Sequence, residues 1–309
     1  MSEHRILLIE NPACLSIDLS RLRIRREGYP DSFVSPKDIA VLCLHHHTIQ
    51  ISVHVLRILA ESGANIIVTD ATHHPCALLL PTVGNGDLVR RLRQQIELDG
   101  TTNKALLWQL IVQARLRTQA ANLRSLGRKG VLRLERLAKE VQPGDSGKCE
   151  AQGARHYWAY LWEKEQSFKR EKQGAQDAIN ARLNFGYAVL RSMVARSLVT
   201  AGLNPALGLG HSSMENPFNL ADDFIEPYRF VVERHVASGE FGEFNGLARK
   251  QLLSFVELEI KLGGSGYRLP AAIEETVNSF VRILDGRSEK LNLPQDIVPM
   301  KHGRDEEWE

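Results

Sequence analysis

The sequence predicts an α+β fold, with a small β-rich N-terminal domain at residues 1–86 and a larger all-α domain at residues 87–309. The first region contains short Val/Ile/Leu-rich runs separated by Gly, Pro and Asn, a pattern typical of strands joined by turns. The second region repeats apolar residues every three or four positions, which is the period of helices packed on one face. A chain of 309 residues has enough material for a hydrophobic core in each part.

The predicted strands of the first region are rich in apolar residues and end at turn residues. They are residues 6–9, 14–19, 21–24, 39–44, 65–68 and 76–80. One segment between them is ambiguous, because its apolar residues alternate like a strand from Ile49 while Ile49, Val53 and Leu56 also fit a helix. Thr48 as N-cap and Gly63 just beyond the end favour the helix.

From residue 87 onward the spacing of apolar residues predicts helices that start near Leu88, Leu106, Glu150, Ile179 and Leu252. The fourth should end at residues 200–202, Thr-Ala-Gly, and a flexible break at residues 141–147 should precede the third. We expect the helical pattern to continue to the end of the chain.

Composition excludes several classes of protein. The hydrophobic fraction of 43% and the charged fraction of 25% are those of a globular protein, and no run approaches 18 apolar residues. With no signal-peptide pattern, we expect a cytoplasmic protein without a membrane segment. The four cysteines are scattered without a CxxC pair, which argues against a zinc cage and disulfides. No P-loop, GxSxG or GxGxxG motif is present, which argues against an NTPase, a triad hydrolase and a dinucleotide enzyme.

Charge is strongly segregated although the net charge is only +2. Residues 87–140 contain twelve Lys/Arg against five Asp/Glu. Such a segment favours a polyanionic partner, although solvated helix faces are often basic too. The cations with helical spacing form a candidate DNA-binding surface: Arg115, Arg117, Arg124, Arg128, Lys129 and Arg133, with Arg136 and Lys139 beyond them.

The most informative segment is an acidic helix that follows a histidine. His211 precedes Asp222, Asp223 and Glu226, and the last two lie three residues apart and therefore share a helix face. Pro227 cannot donate a backbone hydrogen bond, so the helix should be kinked or irregular there. An imidazole with carboxylates is a usual ligand set for a divalent metal. The alternative is a solvated acidic face beside an ordinary histidine.

Three blocks in this order resemble the CRISPR adaptation integrase family, the larger catalytic protein of spacer acquisition, type II-like. Residues 149–158 read Cys-Glu-Ala-Gln-Gly-Ala-Arg-His-Tyr-Trp, and residues 177–190 read Asp-Ala-Ile-Asn-Ala-Arg-Leu-Asn-Phe-Gly-Tyr-Ala-Val-Leu. The third block begins with a Gly-rich approach to the histidine at residues 202–211 and ends at residues 222–229, which read Asp-Asp-Phe-Ile-Glu-Pro-Tyr-Arg. Together the blocks span roughly residues 145 to 230.

The resemblance implies a metal-dependent DNA endonuclease and integrase that inserts spacer DNA into a CRISPR array through attack by a 3′-hydroxyl. It places the ligands of Mg²⁺ or Mn²⁺ at Glu150, His211 and Glu226, and a further catalytic acid at Asp223. Some family members carry Asp at the position of Glu226. The implied partners are double-stranded DNA (a donor fragment and the CRISPR repeat), a second copy of the chain bound through the N-terminal domain, the small second adaptation protein and, in type II systems, the effector nuclease.

Two other functions stay open at this point: a general metal-dependent nuclease on branched DNA, and a non-catalytic DNA-binding scaffold. We expect Glu150→Ala and Glu226→Ala to leave the fold intact, because each removes one acid from a repelling cluster. We interpret Asp177, Asn180, Asn184 and Tyr157 as polar side chains that tie helices together, with the alternative that they support the metal ligands. The histidines at 45–47 and 73–74 are read as loop or strand-end residues, since neighbours on a strand point to opposite faces.

Overall fold

A computed structural model describes residues 5–69, 75–79, 87–162, 168–171, 177–239 and 243–298. In these ranges the strands are β1 (Arg5–Ile9), β2 (Cys14–Asp18), β3 (Arg21–Arg25), β4 (Ser32–Val34), β5 (Ile39–Leu44), β6 (Gln50–Ile51), β7 (Asn65–Thr69), β8 (Pro75–Leu79), β9 (Glu259–Leu262), β10 (Ser265–Arg268) and β11 (Pro294–Ile297). The α-helices are α1 (Val53–Glu61), α2 (Leu88–Leu98), α3 (Thr102–Ser125), α4 (Val131–Glu140), α5 (Cys149–Leu161), α6 (Ala178–Thr200), α7 (Asn219–Ile225), α8 (Arg229–Ala237), α9 (Gly246–Leu252) and α10 (Leu269–Leu284).

The N-terminal strands form two four-stranded sheets. One has the order β1-β5-β7-β8, in which β1, β5 and β7 run parallel and β8 is antiparallel. The other has the order β4-β3-β2-β6. Strand β5 is buried on both faces: Leu42 joins the N-terminal core, whereas Val41 and Cys43 join the core of the helical region. The unbroken apolar run at residues 39–44 is therefore explained by two cores that meet on one strand.

The predicted N-terminal strands are confirmed, and the helix that lies between them starts later than expected. Ser52, not Thr48, is the N-cap of α1, and its side chain accepts the N–H of Val55 at 3.3 Å. The Thr48 hydroxyl instead contacts Nδ1 of His46 at 2.9 Å. Residues 50–51 pair with β2, so the strand-like alternation and the helical spacing were each correct for a different part of the segment.

The α+β class is confirmed, with α3 at the centre of the helical region. This 24-residue helix has buried side chains on most of its sides, and it packs against α4, α5, α8 and β11. Helix α6 follows Asp177, which caps it by accepting the N–H of Asn180 at 2.8 Å. No helix in the described ranges is long and apolar enough to cross a membrane. The predicted boundary between residues 86 and 87 adjoins residues outside the described ranges, and His73 and His74 themselves lie outside those ranges.

The expectation that the chain stays helical to its end is wrong. Strands β9, β10 and β11 form an antiparallel sheet with the order β10-β9-β11. Gly263 and Gly264 both have positive φ and make the two-residue turn of a hairpin. Ile260 and Leu262 are buried while Glu259 and Lys261 are exposed, which is the period of a strand. Four residues are too few for this alternation to stand out beside the longer helical patterns.

The acidic helix is irregular at the proline, as predicted. Helix α7 ends at Ile225, a 3-10 turn covers Glu226–Tyr228, and α8 begins at Arg229. Proline has no N–H to continue the α-helical ladder. The tighter turn places Glu226 inside the protein, at 3% exposure.

Candidate active site

The four candidate residues of the acidic site come from separate elements that meet beside α3. Glu150 lies in the first turn of α5, His211 in the loop between α6 and α7, Asp223 on α7 and Glu226 at the start of the 3-10 turn. Arg115 of α3 contacts both Glu150 and Glu226, and His211 contacts Asp223. The charges of Glu150, His211 and Glu226 also influence one another's pKa.

Glu150 is held by the turn that precedes its helix. Asp145 accepts the N–H of Cys149 at 2.8 Å and the N–H of Glu150 at 3.1 Å, which satisfies free donors at the start of α5. The Glu150 side chain is 26% exposed. Burial raises the pKa of Glu150, and the neighbouring Arg115 opposes that rise. Glu150 is therefore the carboxylate of the site that adjoins solvent.

His211 is oriented by Asp223, a fully buried carboxylate. Asp223 accepts the backbone N–H groups of Leu209 at 2.5 Å, Gly210 at 3.1 Å and His211 at 2.9 Å. Its Oδ1 also lies 2.7 Å from Nδ1 of the His211 ring. Both carboxylate oxygens are thus occupied by the loop, and Asp223 positions the histidine. In the part of the chain that is described, Nε2 of His211 has no hydrogen bond and is the nitrogen left for a ligand.

Two glycines allow the histidine loop to approach its neighbours closely. A Cβ on Gly210 would lie 2.3 Å from the Trp108 ring, and a Cβ on Gly208 would lie 2.3 Å from the carbonyl oxygen of His211. The His211 and Trp108 rings also form a T-shaped contact, with centroids 5.8 Å apart. Gly210 is therefore explained by the packing of the loop on α3, and Gly208 by the close approach of the loop to its own backbone.

Glu226 is paired with two arginines inside the protein. Its Oε1 lies 2.9 Å from Nη2 of Arg229, and its Oε2 contacts Nη1 of Arg115. Burial alone would raise the pKa of Glu226, but the two guanidiniums hold it below its ordinary value. Glu226 is therefore ionised at neutral pH although it is buried.

Arg115 does not lie on the exposed basic surface that the sequence predicts. It is 8% exposed, and its Nη1 lies 2.5 Å from Oε1 of Glu150 while also contacting Glu226. The charge count alone could not distinguish it from Arg117, which is exposed. A signal was present, however, because Arg115 follows Ile111 by four residues and therefore continues the buried face of α3.

The donor types at the site fit a divalent cation. One free imidazole nitrogen and two carboxylates are a usual ligand set, and Glu150 and Glu226 converge on one positive charge. That charge is the guanidinium of Arg115. Across the described residues, no three His, Cys, Asp or Glu side chains lie close enough together to hold a metal ion. The site therefore fits a divalent cation in the types of its donors but not in their present spacing.

Comparison with known proteins places this chain in a family. The family described as "CRISPR associated protein Cas1" matches residues 6–239. The chain is 35% identical over 305 residues to a protein of Neisseria meningitidis serogroup C (strain 8013) named "CRISPR-associated endonuclease Cas1", covering 96% of this chain and 97% of the relative. The chain belongs to the Cas1 family.

Solved structures show that the fold is shared more widely. A casposase bound to integration product matches with a TM-score of 0.78 at 18% identity, covering 93% of this chain and 92% of the casposase. A chain of a Cas6-RT-Cas1–Cas2 complex matches with a TM-score of 0.73 at 16% identity, covering 94% of this chain and 36% of the larger one. At these identities the likeness concerns the Cas1 fold alone.

A buried polar network supports Arg229 in this Cas1-family chain. The Arg229 guanidinium lies 4.7 Å from the centroid of the Tyr187 ring, and the Tyr187 hydroxyl donates to Glu233 at 2.7 Å. Burial raises the pKa of Glu233, and the hydrogen bond from Tyr187 opposes that rise. Asn122 donates to the Tyr157 hydroxyl at 2.8 Å. Sequence spacing could not reveal this network, because its members come from α3, α5, α6 and α8.

The amides predicted to tie helices together instead tie a non-helical segment to one helix. Asn180 accepts from Arg170 at 2.9 Å and Asn184 accepts from the same guanidinium at 2.6 Å. Asn180 also donates to the carbonyl of Lys169 at 2.8 Å. These groups anchor residues 169–171 to α6 and do not contact the acidic site.

The other candidate DNA-binding residues lie on α3, α4 and the turn between them. Arg117, Arg124, Lys129 and Arg133 are exposed, whereas Arg128 is partly buried. Arg124 is paired with Glu135, which reduces the charge it can offer to a partner. Helix α4 packs back against α3, so the cations form a two-helix surface in place of a single helical stripe.

The three adjacent histidines have different surroundings. His45 is buried, and its ring centroid lies 5.5 Å from that of Phe185. The rings of His46 and His47 are stacked at 4.6 Å.

Proposed function

We propose that this chain is a metal-dependent DNA endonuclease and integrase, which inserts spacer DNA into a CRISPR array through attack of a 3′-hydroxyl on a phosphodiester. The observation that carries the proposal is the convergence of Glu150 and Glu226 on one positive charge, beside an imidazole whose Nε2 makes no hydrogen bond to any described residue. Family membership and the name of the Neisseria relative support it.

The residues that would hold Mg²⁺ or Mn²⁺ are Glu150, His211 and Glu226. When bound, the ion would supply Lewis-acid stabilisation of the charge that develops on the scissile phosphate. Asp223 fixes the His211 ring through Nδ1, and Arg229 keeps one oxygen of Glu226 occupied. Phosphoryl transfer depends mainly on positioning and electrostatics, so a few rigidly held groups are enough.

The DNA and protein partners are also part of the proposal. The exposed cations of α3 and α4 would contact the phosphates of donor and repeat DNA. The match to a Cas1–Cas2 complex supports assembly with a small second adaptation protein. Assembly as a homodimer through the N-terminal region, association with a type II effector nuclease and location in the cytoplasm complete the proposal.

An integration assay tests this function. Purified chain, the small partner, a short duplex with free 3′-hydroxyls and a repeat-containing plasmid are combined with Mn²⁺ or Mg²⁺, and joining of donor to repeat is measured. A duplex with 3′-dideoxy ends is the matched control and should not be joined. Hydrolysis without joining would favour a general nuclease on branched DNA. DNA binding without metal-dependent strand chemistry would favour a scaffold.

A further inference from the structure

Arg115 places a single nitrogen between the two carboxylates of the site. Its Nη1 lies 2.5 Å from Glu150 and also contacts Oε2 of Glu226. An arginine usually spans one carboxylate with two parallel N–H groups. Here one end of the guanidinium is shared between two acids, and Nε of Arg115 has no hydrogen bond within the described residues. The side chain therefore acts as a point charge between Glu150 and Glu226.

The two oxygens of Glu226 differ in what holds them. Oε1 is bound by Arg229, whose guanidinium is packed on the Tyr187 ring inside the network around Glu233. Among the residues that the structure describes, Oε2 is bound by Arg115 alone. Glu226 can therefore exchange its Oε2 partner while Arg229 keeps Oε1 in place.

Glu150 provides the exposed side of the same contact. Its side chain is 26% exposed, whereas that of Glu226 is 3% exposed. A cation that arrives from solvent therefore meets Glu150 first and then the Nη1 group of Arg115. A guanidinium and a divalent ion cannot occupy the same position between two carboxylates, because like charges repel and both use the same oxygens.

We infer that Arg115 is an internal cation that competes with the divalent metal for Glu150 and Glu226, so that metal binding requires its guanidinium to leave. The inference rests on the proposed function, since it presupposes the metal site. Arg115 stabilises the metal-free protein by neutralising two neighbouring acids, and it lowers metal affinity by the same interaction. The site then binds its metal weakly until the arginine is displaced.

The test measures Mn²⁺ affinity of the full-length protein without DNA, by isothermal titration and by the EPR signal of free Mn²⁺. Arg115→Met removes the charge and keeps most of the side-chain volume, so its Mn²⁺ affinity should rise by about tenfold or more. Arg115→Lys keeps the charge and should stay close to wild type. Arg191→Met is the matched control, because Arg191 pairs with Asp222 on α7, outside the ligand set, and its affinity should not change.

Thermal unfolding provides a second readout. Metal-free Arg115→Met should melt below wild type, because two acids lose their shared cation, and saturating Mn²⁺ should raise its Tm more than that of wild type. If Arg115→Met does not fold, a crystal structure of wild type with Mn²⁺ decides the question. The inference is confirmed if the Arg115 guanidinium in that structure has moved away from the carboxylates of Glu150 and Glu226.

The negative outcomes separate the inference from the proposed function. Mn²⁺ affinity in Arg115→Met that equals or falls below wild type overturns the competition and leaves the metal site standing. A wild-type Mn²⁺ complex in which Arg115 still contacts both carboxylates does the same. If neither wild type nor Arg115→Met binds Mn²⁺, the metal site of the proposed function is wrong, and the inference falls with it.

Discussion

Nδ1 of His211 lies 2.7 Å from Oδ1 of Asp223, and Asp223 is buried with no exposed side-chain surface. The hydrogen bond to Asp223 raises the pKa of His211, and partial burial opposes that rise. The imidazole must be neutral to bind a metal through Nε2, so the same contact that orients the ring also favours its protonated form.

As the pH is lowered, metal binding should therefore begin to weaken already at a pH above about 6.5, the reference pKa of histidine. Mn²⁺ titrations across pH, together with an NMR titration of the His211 ring in the metal-free protein, measure this. Proton release on Mn²⁺ binding should disappear above the pKa of His211. In His211→Ala, the fall of Mn²⁺ affinity on acidification should no longer be seen. A ring pKa below the reference value would contradict the role of Asp223.

The same pair should make stability depend on pH. A group whose pKa is raised in the folded state stabilises fully below its unfolded pKa, and this stabilisation is lost as pH rises through the folded pKa. His211→Ala should therefore reduce the free energy of unfolding more at pH of about 5.5 than at about 8.5. Urea denaturation of both proteins at each pH tests it. An equal loss at both values would show that the ion pair does not contribute.

Glu226 and Glu150 should differ in what they contribute to stability. Glu226→Ala leaves two buried guanidiniums without their shared acid, so the free energy of unfolding should fall by about 3–5 kcal/mol. Glu150 is partly exposed, and Glu150→Ala should cost about 1 kcal/mol or less. The expectation from the sequence that both replacements spare the fold would then be wrong for Glu226. Urea unfolding measures both, and similar losses would refute the difference.

Because Glu226→Ala is expected to destabilise, activity is better tested with Glu150→Gln and Glu226→Gln. Each keeps a hydrogen-bonding side chain of similar size and removes the negative charge. Strand cutting and joining should be lost in both while DNA binding persists. Joining at the wild-type rate in either variant would show that the replaced residue is not part of the active site.

Gly210→Ala should disturb the site without touching a ligand side chain. Its Cβ would lie 2.3 Å from the ring of Trp108, so the loop that carries His211 must move. We expect about tenfold weaker Mn²⁺ binding and a comparable loss of joining, since ligand placement matters on the scale of about 1 Å. Gly147→Ala is the control, because its Cβ would meet only the Cys149 sulfur at 3.6 Å. Equal effects in the two variants would show that the position of the histidine loop does not determine Mn²⁺ affinity.

DNA binding should depend strongly on salt and little on sequence. If about six phosphates are neutralised, affinity should fall about a thousandfold between about 50 and about 200 mM salt. Reversing the exposed cations Arg117, Lys129 and Arg133 to Glu should weaken binding and flatten the salt response. Reversing Arg25 and Arg57, which are exposed on the N-terminal region, should have a smaller effect. Fluorescence anisotropy at several salt concentrations distinguishes the two sets.

Local patterns predicted most of the elements but not the contacts between them. The strands of the N-terminal region and the break at Pro227 follow from short-range rules. Spacing could not show that Arg115 lies between Glu150 and Glu226, because these residues are 35 and 111 positions away along the chain. A count of cations ignores which helix face each one occupies. The family resemblance implies a further catalytic acid at Asp223, and only the folded loop shows that its oxygens accept backbone N–H groups.

Helix α3 presents Trp108 and Arg115 to the interior of the site and Arg117 to the outside. One inserted or deleted residue turns everything beyond it by about 100° relative to what precedes it. Between Trp108 and Arg115, such a change would rotate Arg115 away from the two carboxylates, while the histidine loop would still pack against Trp108. This helix should therefore tolerate exchange of many side chains over evolutionary time but no change in its residue count, and homologous chains should align through it without gaps.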